Sequence, residues 1–576
     1  MFISTPSTRP SAVFATSKPD SAPPAGSPPT YSPPAGSPPT GPGQAAARRD
    51  PPAHLAVPAR LRAPLARLGT LLAVAAGAVL LRAIGGVGFA NYDTLYALVW
   101  GQQLARGETP QYGIPIAPTP HPLLEGLGVV LAPLGPHAME QITVALGFLA
   151  LSACGWAVYR LGALWFNRPA GALAALILLT RVPILSRGVR AYIDLPYLLL
   201  VLGALIVETR HRRAGAPVLA LLALAGLLRP EAWVFAGLYW VYLALAGRVR
   251  WDAAARRVRW DAPTSADGGT PPSNPPGAMG PGAEPVALTR TPRQLAWLTL
   301  LVLAAPLVWV LSDWLVTGNA MWSLTNTRHT VEALGRETGI AKVPQYIPRR
   351  IGEILGPAAL AGAALGGVLS LRWLRGRALP GALAGVVAVV VFAAFATVGL
   401  PINTRYAFLA AAILCIFCGA AAFGWMLLPA DHEGRRWWML AGALVTVGLV
   451  VSIPSQYRTD HHELQALARQ QRIQNDLTAL VDEHAISARC EPVGVPNHAP
   501  IPLLALWLET PPAEIVSAQV RTISKGTYVD PASREVQRDY ILNTNDPNEA
   551  STPAVVPPGF TATRTGRSWR IFQRCG

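Results

Sequence analysis

Long apolar runs separated by short arginine-bearing loops constrain this chain more than any other feature. Apolar segments are read at about 68–84, 138–159, 169–185, 191–208, 216–228, 231–247, 294–312, 354–371, 379–399, 404–428 and 436–453, about eleven in all. A helix of about 20 apolar residues crosses a bilayer, so the expected fold class is an α-helical polytopic membrane protein. A composition of 51% hydrophobic and 14% charged residues excludes a soluble enzyme of 576 residues.

The net charge of +16 would suit a nucleic-acid binder, but the arginines cluster between apolar runs, which is the signature of membrane topology. Arg60, Arg62 and Arg67 precede the first run. Further clusters follow at Arg160 and Arg168, at Arg210, Arg212 and Arg213, at 248–259, at Arg372, Arg375 and Arg377, and at Arg435 and Arg436. Every second loop carries them. The positive-inside rule therefore places the N-terminus in the cytoplasm, and both the long 91–134 loop and the region after about 455 on the outer face.

Residues 1–59 are a Pro-rich tail in which PPAGSPPT occurs twice, expected to be solvated and polyproline-like. No charged start followed by a short apolar core marks a cleavable signal. The 60–454 module is expected to carry the spans, with a broken helix pair around Leu228-Arg229-Pro230-Glu231 lining a cavity. Within it, 248–292 holds RVRWDA twice before a Pro/Gly-rich tract, read as a basic surface piece and a cytoplasmic linker. Residues 455–576 are expected to form a small α/β domain: one amphipathic helix over 460–485, then strands at 489–495 and 568–573. Cys490 and Cys575 lie in this outer region and could pair, whereas Cys154, Cys415 and Cys418 sit in apolar runs.

The 91–134 loop is the candidate site, because a loop of this length between spans usually has a function. Asp93 has two readings, a general base that accepts a hydroxyl proton and an N-cap of the helix that follows. Glu125, acidic in an apolar stretch, is the second catalytic candidate. Arginines are also in excess on the face where positive charge is not expected: Arg187, Arg190, Arg229, Arg349 and Arg405. As a set they suit an anionic group, since guanidinium forks match phosphate oxygens. Singly, Arg190 could pair with Asp194 and Arg229 with Glu231. Adjacent His461 and His462 make poor metal ligands, and no nucleotide-binding loop or serine nucleophile elbow is present. No cofactor is expected.

Asp93, Tyr96, Gly107, Pro110, Tyr112, His121, Pro122 and Leu123 in the first outer loop, Ser186 to Arg190 with Asp194, and Leu228 to Trp233 together make the chain resemble the GT-C superfamily of polytopic glycosyltransferases. The likeness covers about 65–450 and is greatest to bacterial members related to protein mannosyltransferases and lipid A aminoarabinose transferases. The resemblance implies a bacterial plasma-membrane enzyme that takes a sugar from a polyprenyl phosphate or diphosphate carrier and transfers it, with inversion, to a glycan, lipid or protein acceptor. It makes Asp93 the base, the arginines the carrier-phosphate ligands, and Tyr92, Tyr112, His121, Asp194 and Glu231 the cavity lining. Many relatives carry paired acids where this chain has Asp93-Thr94, so the resemblance does not extend to a metal. A flippase of lipid-linked sugars and a non-catalytic envelope scaffold remain as alternatives. Only the enzyme requires Asp93.

Overall fold

The computed structural model describes residues 59–245, 249–252, 257–260, 291–333, 335–486, 490–541 and 555–575. The Pro-rich tail and most of the 248–292 linker lie outside the described residues. Of the RVRWDA pair, only the backbone of an antiparallel hairpin is described, β1 (Val249–Asp252) with β2 (Arg257–Trp260). The chain divides into two compact units, Met1–Ala63 and Pro64–Gly576; the second holds the transmembrane helices and the site.

Every apolar segment read from the sequence is helical, but not every one is a full span. Among the described residues seven helices are long and apolar enough to cross a membrane, or eight if a bent pair is one span, so the expectation of eleven spans is corrected. The helices are α1 (Ala59–Gly85), α2 (Tyr92–Ala105), α3 (Pro122–Leu131), α4 (Gly135–Trp165), α5 (Arg168–Leu179), α6 (Val182–Val189), α7 (Asp194–Arg210), α8 (Ala216–Gly226), α9 (Glu231–Leu245), α10 (Pro292–Thr317), α11 (Trp322–Ala333), α12 (Val343–Trp373), α13 (Arg375–Thr397), α14 (Phe408–Phe423) and α15 (Glu433–Asp482). Hydropathy averages over the breaks that shorten them. The run read as one span at 169–185 bends by 67° between α5 and α6. Arg181 sits at that bend, donating from Nη1 to Leu355 O at 2.8 Å and from Nε to Ile177 O at 3.1 Å. A buried guanidinium thus satisfies carbonyls at the break, as irregular backbone at membrane depth requires. The short α8 and α9 flank Arg229, as expected of a broken pair.

The central helix is α14, whose spanning stretch is 89% buried, against 6% for α1. It can be central because small residues let its neighbours approach closely. A Cβ on Gly366 of α12 would collide with Phe417 O, and one on Gly419 with Ala170 O of α5. The outer faces of α1, α10 and α15 carry exposed side chains such as Leu71, Leu307 and Leu444, as membrane-facing helices do.

The amphipathic helix expected as a separate element over 460–485 is the distal half of α15, a correction to the expected domain boundary near 455. This helix has 50 residues, about 75 Å at 1.5 Å per residue, far more than a bilayer needs. Pro454 lies inside it, with no turn signal around it to stop the helix. Beyond it lies the expected α/β unit. Its five-stranded sheet has the order β4-β3-β5-β7-β6, from β3 (Val493–Val495), β4 (Ile515–Ser517), β5 (Gly526–Pro531), β6 (Thr561–Thr565) and β7 (Trp569–Arg574). The β3 strand pairs in parallel with β4 and β5, and α16 (Ile501–Leu508) makes the β3–β4 crossover. Cys490 and Cys575 form the expected disulfide. One buried cluster joins this unit to the first loop, bringing Leu95, Tyr96 and Trp100 together with Leu477, Leu504 and Trp569.

The Gly366→Ala substitution should lower the detergent melting temperature, at a cost of about 1–3 kcal/mol for forcing α12 and α14 apart. Gly367→Ala, whose Cβ would enter open space, should leave it unchanged in the same thermal-shift measurement.

Candidate active site

The site is built where the start of α2 meets the corner between α6 and α7. Asn91 is the N-cap of α2; its Oδ1 accepts from Asp93 N at 2.8 Å and Thr94 N at 3.3 Å. The reading of Asp93 as the cap is therefore corrected, because the residue two places earlier holds that position. Asn91 also reaches across to α6: its backbone N donates to Arg190 O at 3.1 Å and its Nδ2 to the same carbonyl at 3.0 Å. Thr94 Oγ1 donates to Ala191 O at 2.8 Å. These bonds seat the first turn of α2 on the α6–α7 corner and leave the Asp93 side chain out of the cap.

Asp93 Oδ2 meets Arg405 Nη1 at 3.3 Å, both side chains 22% exposed, and Oδ1 has no protein partner among the described residues. Arg405 lies on a 3-10 turn, Thr404–Ala407, that opens α14, and its buried Nε is unpartnered. Arg187 and Arg190 cover the Tyr192 ring, with guanidinium carbons 4.1 and 5.1 Å from its centroid. Arg190 also donates to Ser186 Oγ at 2.7 Å, so it does not make the local pair with Asp194 that the sequence allowed. Arg336 completes the group. It feels the charges of Arg405 and Asp93 and makes no ion pair among the described residues. It lines a cleft of about 700 Å³ with Arg328, Glu332, Glu337, Lys342 and Val398. Sequence reasoning missed Arg336, since Gly335-Arg336-Glu337-Thr338-Gly339 reads as an ordinary polar turn; its place between two apolar runs on the outer side was the available signal.

Two arginines leave the expected anion-binding set. Arg229 is buried, donates to Glu231 Oε1 from Nε at 3.0 Å and Nη2 at 2.5 Å, and pairs with Asp194. With carboxylates on two sides and the Tyr197 and Tyr406 rings 5.4 and 4.6 Å from its centre, it is neutralised within the protein. Arg349 is exposed and bonded to Glu353.

Glu125 holds the loop together. Its Oε2 accepts from Tyr112 Oη at 2.6 Å and its Oε1 from His121 N at 2.9 Å, which leaves neither oxygen facing the cleft as a base would. Contact with the carboxylate and burial push the Tyr112 phenol well above its usual range, burial being the larger cause. His121 sits among Asp93, Arg405 and Arg229, and burial pulls its imidazole down to about 3 against the opposing pull of Asp93, so the ring is neutral. Tyr92, beside Asp93, donates to Ile116 O at 3.2 Å and meets His498 of the outer unit edge-on at 5.5 Å. Glu463, directly after the two histidines, accepts from Ser186 Oγ at 2.8 Å and so braces α6 against α15.

No protein-family model matches the chain, and no curated protein matches it. Among solved structures the chain is similar to ArnT from Cupriavidus metallidurans bound to undecaprenyl phosphate, with 13% identity, a TM-score of 0.48, and coverage of 88% of this chain and 98% of that one. It is also similar to the oligosaccharyltransferase AglB from Archaeoglobus fulgidus in complex with an inhibitory peptide and a dolichol-phosphate, with 12% identity, a TM-score of 0.40, and coverage of 78% and 64% respectively. Likeness at this distance carries no argument about activity.

The Asn91→Ala substitution removes the cap and the anchor to Arg190 together. It should lower stability by about 1–2 kcal/mol, read as faster proteolysis of the first loop at unchanged disulfide content.

Proposed function

We propose that this protein is a membrane glycosyltransferase that moves a sugar from a polyprenyl phosphate carrier to a hydroxyl-bearing acceptor at the outer face of a bacterial plasma membrane. The observation that carries the reading is the Asp93 carboxylate, excluded from the helix cap and paired with Arg405 at 3.3 Å. One carboxylate with an oxygen left over beside a guanidinium suits a reaction that takes up a proton and releases a phosphate.

In this scheme Asp93 Oδ1 accepts the proton of the acceptor hydroxyl as its oxygen forms a bond to the anomeric carbon. The bond from that carbon to the carrier phosphate breaks on the opposite face, which inverts the centre, and the phosphate oxygen leaves with the electron pair. Arg405 and Arg336 offset the charge that grows on it, an effect stronger in a dry cleft than in water. Arg405 also anchors Asp93 beforehand, and the arriving phosphate draws on the same guanidinium, which relaxes its hold on the base. The apolar outer faces of the helices suit a prenyl chain approaching from the membrane. No step calls for a metal or an organic cofactor. The outer α/β unit, sharing a buried cluster with the first loop and presenting His498 next to Tyr92, is the natural place for acceptor recognition.

The test is Asp93→Asn in purified protein with radiolabelled polyprenyl phosphate sugars and membrane acceptors. Because Asp93 does not cap α2 but is the ion-pair partner of Arg405, the variant should stay folded with a lowered melting temperature and keep its carrier affinity, while transfer falls by about 10²–10⁴-fold, the usual contribution of a general base. Equal transfer by both proteins would remove Asp93 from the chemistry. Binding without transfer by either would favour a flippase, to be followed as sugar movement across vesicles.

A further inference from the structure

The segment that carries Arg405 has little of its own to hold it. It joins α13 to α14 and ends in the 3-10 turn Thr404–Ala407, whose N-cap, Asn403, makes no side-chain cap bond. The Arg405 side chain makes one hydrogen bond, to Asp93 at 3.3 Å, and its buried Nε has no partner among the described residues. A side chain tied at one point is placed mainly by its backbone.

Three bonds reach that backbone from outside the segment. Ile402 N donates to Glu337 O at 2.8 Å, Arg350 Nε donates to Ile402 O at 3.1 Å, and Thr404 Oγ1 donates to Glu353 Oε2 at 2.9 Å. The first ties the residue after Arg336 to the segment that carries Arg405. The other two come from α12, where Arg350 and Glu353 lie one turn apart and Arg350 Nη1 donates to both Glu353 oxygens, at 3.1 and 2.9 Å. The pair therefore grips the segment on both sides of Asn403. Its base is fixed as well, because two residues past Glu353 the Leu355 carbonyl accepts from the buried Arg181 at 2.8 Å. Arg349 shares Glu353 at 3.1 Å but makes no hydrogen bond to the segment among the described residues.

The Arg350 and Glu353 side chains are 22% and 35% exposed, and ion pairs so open to water add little to stability. Their effect is geometric, since misplacing a group by about 1 Å can cost about 10²-fold in rate. On the strength of the transferase reading above, we propose that Glu353 and Thr404 are positioning residues for the transfer. Glu353, oriented by Arg350, holds Thr404 and thereby sets Arg405 against Asp93 and the departing phosphate. Neither residue has to touch the substrate.

The test uses the purified full-length protein and reads transfer and thermal unfolding side by side. Thr404→Val keeps the shape of the side chain and removes the hydroxyl. It should lower kcat about tenfold and move KM for the sugar-bearing carrier by less than about threefold, because Arg405 acts on charge that grows as the phosphate leaves. Thr404→Ser should restore kcat, which a purely steric role of the threonine methyl group would not allow. Glu353→Ala should repeat the loss, and it carries the comparison if Thr404→Val fails to fold. Arg349→Ala should leave kcat unchanged. A cycle of Thr404→Val, Asp93→Asn and the double variant needs no transfer assay: if Thr404 acts through Arg405, the double variant loses less melting temperature than the sum of the singles. Additive losses, wild-type kcat in Thr404→Val and Glu353→Ala, or an equal fall in Arg349→Ala would overturn the proposal and leave the transferase reading in place. No transfer by the wild type, together with non-additive melting losses, would instead remove the transferase reading and uphold the coupling of Thr404 to the Arg405–Asp93 pair.

Discussion

One side chain, Asn91, joins the two halves of the site. Its carbonyl oxygen caps α2 and its amide nitrogen holds the Arg190 carbonyl, so the first outer loop and the α6–α7 corner are fixed against each other at the point where Asp93 leaves the backbone. Capping is a local requirement of any helix start. Here it has a distant consequence, because satisfying it with Asn91 leaves the Asp93 carboxylate out of the cap and in contact with Arg405. The same few bonds tie the first turn of α2 to the segment that carries Arg187 and Arg190.

The charges around this joint divide into two layers. Deep in the protein Arg229 is matched by Asp194 and Glu231, and no guanidinium surface is left over for an outside anion. Nearer the cleft Arg405 is matched only by Asp93, and Arg336 by nothing among the described residues. A buried charge must find a partner or pay a heavy desolvation cost. The deep layer solves that within the chain, and the shallow layer leaves positive charge in excess, as a site for a phosphate would. Glu125, Tyr112 and His121 form a separate polar clasp that keeps the loop shaped.

Much of this was legible beforehand. Hydropathy located the long apolar helices, since burial in lipid demands long apolar runs whatever the neighbours are, but not α11 or α16. Two cysteines in one polar region allowed a Cys490–Cys575 disulfide, and the structure forms it. The span count did not follow, because the runs at 191–208, 216–228 and 231–247 fold into helices of 17, 11 and 15 residues, and the run at 169–185 is bent between α5 and α6. Arg181, in the middle of that run, was the overlooked sign of the break. The boundary at 455 failed for the converse reason: α15 changes from lipid-facing to water-facing without changing conformation.

The sequence by itself determined the class of the molecule, the acidic first loop, the excess of outer-face arginine and the small α/β unit, because these depend on composition and local periodicity. Only the tertiary structure decided which of those charges remain available. Asp93 and Glu125 are both acids in one loop, and Arg229 and Arg405 are both arginines beside apolar runs. What separates them is whether a partner from a distant segment reaches them first. Tyr112 and the His121 amide occupy Glu125, Asp194 and Glu231 occupy Arg229, and Asn91 relieves Asp93 of the cap. Such pairings join residues far apart along the chain, where the pattern of neighbouring residues carries no information about them.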